Sequence, residues 1–178
     1  MSKELPITLR LANEADLPFI FNSWLRSYKT SHFAKNIEST IYYSEQHKVI
    51  EKLLQSYDTI VACDPNDSSQ IYGFINAGYT DNFFTLNYIY VKHTFRHMGI
   101  GKSLLNAFDH DNQYIGIYTH ANHVARKLDQ KYNMIYHPYV GLNPEQYNTV
   151  KASQAEETPQ LDHDNLEAAD ATQGQPNG

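Results

Sequence analysis

The chain has 178 residues, 41% of them hydrophobic and 19% charged, with a net charge of −6 at pH 7. A single cysteine, Cys63, excludes an internal disulfide, and no apolar run approaches the roughly 20 residues of a membrane span, so no membrane partner is expected. The charge is uneven. From Lys151 onward six acids stand against one base, so the first 150 residues are nearly neutral, which weighs against a broad nucleic-acid face and leaves only a local basic group such as Arg26, Lys29 and Lys35.

Residues 1–150 read as one domain with a real core. Residues 151–178 read as a disordered acidic tail, because Leu161 and Leu166 are the only large apolar residues there and cannot offset the ordering entropy. Met1 to Pro6 carries charge where a signal peptide would be apolar, so a cytoplasmic protein is expected.

Within the domain, Ile7 to Leu11 alternates as a short strand. Asp16 then precedes Leu17, Ile20, Phe21, Trp24, Leu25 and Tyr28, the spacing of one amphipathic helix. A polar stretch from Thr30 to Ser39 leads to a second helical pattern, with Ser44 as N-cap and Val49, Ile50, Leu53, Leu54 and Tyr57 on its buried face. Thr59 to Cys63, Ile71 to Tyr79 and Phe83 to Val91 are strands separated by Asp-Pro-Asn-Asp and Thr-Asp-Asn turns, which predicts an antiparallel meander. A helix from Lys102 to Phe108, a strand from Tyr114 to Tyr118, a helix from Asn122 to Tyr132 and a strand from Met134 to Val140 complete the series. Cys63 reads as a small core hydrophobe.

Between the strand Phe83 to Val91 and the helix that follows lies Arg96-His97-Met98-Gly99-Ile100-Gly101. A strand turning through glycines into a helix start leaves backbone N–H groups unpaired and converging, next to the positive end of the helix dipole, where phosphate binds well. A Walker A loop would need glycine at position 96, which is arginine, and a dinucleotide fingerprint would need a third glycine at position 104, which is leucine. What remains is R-x-x-G-x-G.

With Tyr88-Ile89-Tyr90-Val91 before it, this stretch resembles the acyl-CoA pyrophosphate loop of the GNAT superfamily of N-acetyltransferases. The element order β-α-α-β-β-β-α-β-α-β over residues 6 to 142 resembles that fold: an α/β (α+β) domain with a mixed, mostly antiparallel sheet flanked by helices. The N-x-x-A-x-x-L-Y-x-x-x-G-F stretch of many members is partly kept in Asn122, Ala125, Leu128 and Met134. Asn133 replaces the glycine and tolerates the same left-handed cap. Asp129 stands where the family commonly has the tyrosine that reprotonates the CoA thiolate. Asn22 to Tyr28 with Tyr42-Tyr43 is similar to a subgroup encoded by bacteriophages and prophages.

The resemblance implies acetyl-CoA as donor, held by main-chain groups of Ile89, Tyr90 and Val91 along the pantetheine arm. Amides of His97, Met98, Gly99, Ile100 and Gly101 would take the pyrophosphate, with Arg96 and Lys102 adding charge and Asn122 contributing. A backbone N–H near Ile89 or Tyr90 would stabilise the thioester oxyanion. The glutamate that the family often places on the strand before the glycine loop is missing, since no carboxylate lies between Phe83 and Val91. Candidate proton carriers are therefore His120, read against a surface loop histidine; Asp129, against a solvated helix residue; Tyr88, relaying through water; and Tyr132, against a core tyrosine. Trp24, Arg26, Tyr28 and Tyr43 are candidate walls for the acceptor, a small-molecule or protein amine. His120 with His123, and His93 with His97, lack further ligands, so no metal is expected. Two alternatives stay open: a GNAT-shaped binding or assembly protein that has lost catalysis, and a phage-type transferase acting on a nucleic-acid base or a host protein.

Overall fold

The computed structural model describes residues 5–80, 83–108 and 115–142; the expected acidic tail lies outside them. Strand β1 (Thr8–Leu11) leads through a 3-10 turn into helix α1 (Leu17–Lys29), followed by α2 (Ser39–Ser56), β2 (Asp58–Cys63), β3 (Ile71–Thr80) and β4 (Phe83–Val91). Helix α3 (Ile100–Asn106), β5 (Ile115–Tyr118), α4 (His123–Tyr132) and β6 (Ile135–Tyr136) complete the chain. This is the element order that the resemblance implied.

The six strands form one mixed sheet in the order β1-β2-β3-β4-β5-β6. The first four are antiparallel to their neighbours, while β4 to β5 and β5 to β6 are parallel, with α3 and α4 as the crossovers. Apolar residues cover both faces of the sheet. Ile20 and Trp24 of α1 and Ile50 and Leu53 of α2 pack with Val61, Phe74 and Tyr88 on one face. Ile100, Leu104 and Leu105 of α3 and Ala125 of α4 pack with Ile75, Phe84, Leu86 and Ile89 on the other. Cys63 is buried on β2, as its apolar surroundings suggest. Among the described residues, no helix is long and apolar enough to cross a membrane.

Two elements depart from expectation. Helix α2 begins at Ser39 rather than near Ser44, because the Glu38 carboxylate accepts from the Ile41 amide and caps the earlier turn. That turn carries Tyr42, 2% exposed, whose hydroxyl donates to the Leu25 carbonyl. The last strand is two residues long instead of seven. Pro138 has no N–H for a ladder, and the chain then turns, with the Val140 amide donating to His137 Nδ1.

The chain entry is clamped by charge. The Arg10 guanidinium grips the Asp16 carboxylate with contacts of 2.6 and 2.9 Å, and that carboxylate also accepts from the Asn13 amide in a capping box. Arg10 beside it holds the Asp16 carboxyl below the usual carboxylate range.

Candidate active site

The site is made where the sheet splits. Strand β4 pairs with β5 from Phe83 to Leu86, and the Thr119 amide still reaches the Leu86 carbonyl, but beyond that point β5 leaves. On its other side β4 stays on β3 as far as Val91, apart from a register shift that leaves Asn87 as an extra residue. A bulge of this kind bends a strand and re-aims its side chains. Here it turns both Asn87 and Tyr88 toward α1 and α2. The Lys92 amide donates to the Tyr72 carbonyl, so the antiparallel alternation pairs Tyr90 and Tyr88 with β3 and turns the main-chain groups of Ile89 and Val91 toward the gap. The expectation that Tyr90 offers its main chain to the pantetheine arm is therefore corrected: its main chain belongs to β3, and its side chain joins Phe19 and Phe74.

From Val91 the chain passes through a single 3-10 turn, His93–Phe95, into the glycine loop. His97 has φ 67° and Gly99 φ 82°; two left-handed residues this close fold the loop so that its amides face outward. A Cβ on Gly99 would meet no atom within 4 Å, so the left-handed backbone, not crowding, calls for glycine there. No side chain caps the start of α3. Among the described residues the amides of His97 through Lys102 have no acceptor; Ser103 is the first to donate, to the Gly99 carbonyl. The Arg96 Nε donates to the Val91 carbonyl and is drawn across the loop.

These groups border one cleft of about 610 Å³. Its floor is Tyr88 to Val91, one wall is the end of α1 with Ser27, Thr30 and Ser31, and the other is Asn122, Val124 and Lys127 of α4. Arg96, His97, Gly99, Ile100, Gly101 and Lys102 form its far end. Ile100 contributes only main chain, because its side chain is 2% exposed in the core, and Met98 points away at the surface.

At the near end the Tyr88 hydroxyl lies 2.7 Å from Ser27 Oγ. Burial raises the Tyr88 pKa, against the hydrogen bond to Ser27, which lowers it. Asn122 caps α4, its Oδ1 accepting from the Val124 and Ala125 amides at 2.9 and 2.8 Å.

His120 is buried instead of lying in a surface loop, with 8% exposure. Its Nε2 lies 2.9 Å from Gln46 Nε2, and its Nδ1 lies 2.9 Å from Thr119 Oγ1. With the Gln46 amide donating, Nε2 is the acceptor, and the ring proton sits on Nδ1. Thr119 passes the chain on to Asn87 Oδ1 at 3.0 Å, Asn87 Nδ2 to Asn76 Oδ1 at 2.9 Å, and Asn76 Nδ2 to Thr59 Oγ1 at 3.0 Å. One line of buried polar groups thus ties α2 to β5, to the bulge in β4 and to β3 and β2. Burial among these groups pushes the His120 pKa down to about 4, so the ring is neutral at pH 7.

The other expected residues are dispersed. Trp24 is fully buried, stacked on Tyr88 with ring centroids 4.7 Å apart, so it is core and not an acceptor wall. Tyr28 sets its ring edge-on to His120 at 4.8 Å, and burial pushes its pKa up to about 12. Tyr43 and Arg26 are exposed and do not line the cleft. Tyr132 packs against the core on the α3 side with the Lys131 ammonium over its ring, away from the cleft. Asp129 is on α4, and its side chain lies outside the described residues.

Ser27, Asn87 and Gln46 went unrecognised in the sequence. Two of them left a signal. Ser27 interrupts the apolar stripe of α1 beside Trp24 and Tyr28, and Asn87 interrupts the apolar run of β4; a polar residue on a buried face needs a partner.

No protein-family model matches this chain, and no curated protein sequence does either. Solved structures similar to it include an acetyltransferase of the GNAT family from Staphylococcus aureus Mu50, at 20% identity over 57% of this chain and 62% of that one, with a TM-score of 0.42. Another, described as a possible acetyltransferase from Clostridium difficile 630, has 21% identity over 72% of this chain and 90% of that one, with a TM-score of 0.49. A third, the PaiA N-acetyltransferase from Thermoplasma acidophilum in complex with coenzyme A, has 20% identity over 73% of this chain and 76% of that one, with a TM-score of 0.42. The chain spans a little under two thirds of some of these relatives, such as 64% of YjaB from Escherichia coli. At such identities, what this chain can do has to come from its own residues.

Proposed function

We propose that this protein transfers an acetyl group from acetyl-CoA to a primary amine, by direct attack with both substrates bound. One observation carries the reading: a single cleft is bordered by the amides of His97 through Lys102, which have no acceptor among the described residues, by the β4 edge at Ile89 and Val91 that β5 has left, and by a polar end at Tyr88, Ser27 and Asn122. A diphosphate, an extended amide-bearing arm and a reacting thioester need those three surfaces in that order.

In this reading the loop amides, with Arg96 and Lys102, bind the diphosphate. The N–H and C=O of Ile89 and the N–H of Val91 pair with the arm as an added strand would, and the N–H nearest the thioester stabilises the negative charge that develops on its oxygen. The amine nitrogen bonds to the carbonyl carbon, the C–S bond breaks with its electron pair going to sulfur, and the nitrogen releases a proton. His120 is a poor receiver for that proton, since its Nε2 lone pair is engaged by Gln46 and its basicity is suppressed by burial. Its part is to hold the bulge of β4 through Thr119 and Asn87. The acceptor must then arrive as free base, and a lysine-like amine with a pKa of about 10.4 is only about 0.04% free base at pH 7.

The same engagement of His120 favours a second reading, a protein that binds acetyl-CoA without turning it over. Calorimetry with acetyl-CoA tests what the two share, and no heat of binding would remove both. Incubation with labelled acetyl-CoA and a cell lysate then separates them: labelled product supports transfer, while binding with no label and no thiol release supports the second reading.

A further inference from the structure

The hydroxyl pair at the near end of the cleft has a definite direction. Ser27 Oγ lies 2.5 Å from the Ser23 carbonyl oxygen and 2.7 Å from the Tyr88 hydroxyl. A carbonyl can only accept, and a serine hydroxyl has one proton. Ser27 therefore donates to Ser23, in the i to i−4 manner of a helical serine, and it must accept from Tyr88. The order is Tyr88 O–H to Ser27 O–H to the Ser23 carbonyl. Tyr88 has spent its only proton inward. What it has left to show the cleft is an oxygen lone pair.

We propose that Ser27 is a positioning residue that fixes Tyr88 as a hydrogen-bond acceptor toward the cleft, so that the group received beside it is one that brings its own N–H. A primary amine fits this end because it satisfies Tyr88 with one N–H and keeps its nitrogen lone pair for attack. A tertiary amine or a thiolate offers nothing to that oxygen and leaves it unpaired, which is costly at a desolvated position. This assignment rests on the acyl-transfer reading, and it makes Tyr88 a guide for the nucleophile rather than the proton source for a departing thiolate.

The test uses the full chain and hydroxylamine, a small nucleophile that is largely free base at neutral pH and carries N–H whatever the natural acceptor is. Product is followed as acetohydroxamate, binding as the calorimetric Kd for acetyl-CoA. Ser27→Ala leaves the Tyr88 proton without its acceptor and frees it to turn outward; kcat should fall about tenfold, the size of one neutral hydrogen bond, with the Kd for acetyl-CoA within twofold of wild type. Ser27→Thr keeps the hydroxyl and should restore most of kcat. A readout independent of turnover is the ultraviolet resonance Raman difference between wild type and Tyr88→Phe, which isolates that phenol. Its C–O stretch should lie where a donating phenol absorbs, and the same difference taken in the Ser27→Ala background should be shifted. Normal acetyl-CoA binding together with an unchanged kcat or an unshifted Raman band in Ser27→Ala overturns this proposal alone. No acetyl-CoA binding by the wild-type chain overturns the acyl-transfer reading, and the amine assignment with it.

Discussion

Acidification should destabilise this protein through His120 before its carboxylates matter. The folded chain keeps the ring neutral down to a pKa of about 4, because the ring is buried against Gln46, Thr119, Trp24, Tyr28 and Tyr88. The unfolded chain takes up the proton at the ordinary value of about 6.5. As pH falls below 6.5 the unfolded state gains a proton that the folded state refuses, so stability is full above 6.5 and drains away toward pH 4. At about 1.4 kcal/mol per pH unit, the loss from this group is about 2 kcal/mol by pH 5 and about 3 kcal/mol in all. Asp16, held below the usual carboxylate range, acts in the same direction only at lower pH. The assay is urea unfolding of wild type and His120→Gln at pH 7 and pH 5. Glutamine cannot titrate, so whatever its cost at pH 7, its midpoint should move less on acidification than that of wild type, by roughly 1 M urea. If the two proteins lose the same stability between pH 7 and pH 5, His120 is not the buried neutral ring described here.

Gly101→Asp should weaken acetyl-CoA binding more than tenfold in calorimetry while the melting temperature moves little, because a Cβ there meets only Ile89 Cδ1 and Val91 Cγ2 at 4.0 Å; Gly99→Val is a poorer probe, since φ 82° strains a branched residue by about 1–2 kcal/mol. Asp16→Asn should cost about 2–3 kcal/mol at pH 7 by removing the charge from the Arg10 clamp. The difference from wild type should shrink as pH falls below the ordinary aspartate value, where the unfolded wild-type chain takes up a proton that the clamped carboxylate still refuses, as unfolding curves at pH 7 and 3 will report. Gly73→Ala should lower both the melting temperature and acetyl-CoA affinity, because its Cβ would sit 2.4 Å from the Tyr90 carbonyl oxygen and push β3 from the strand whose other edge lines the cleft. Parallel thermal melts and calorimetry measure both.

The linear pattern of residues determined most of the elements and the loop. Strand β4 was legible to the residue as a largely apolar run, α1 from its 3.6-residue stripe, and the glycine turn from its place between strand and helix start. Each is a local property: side-chain periodicity and the backbone freedom of Gly99 act within a few residues. Tertiary structure decided what the polar residues on those elements do. Nothing in β4 alone shows that Asn87 is the bulged residue, because a bulge exists only against the register of β3. His120 is a pinned, neutral ring instead of a free base because α2, starting a turn earlier than its own serine suggests, lays Gln46 against it. Trp24 and Ser27 share one helix face, yet only the meeting of that face with Tyr88 makes the first a packing surface and the second a partner in the cleft. Hydrogen-bond direction and burial depend on which elements meet, and contacts between residues 61 or 74 positions apart leave no periodic trace along the chain.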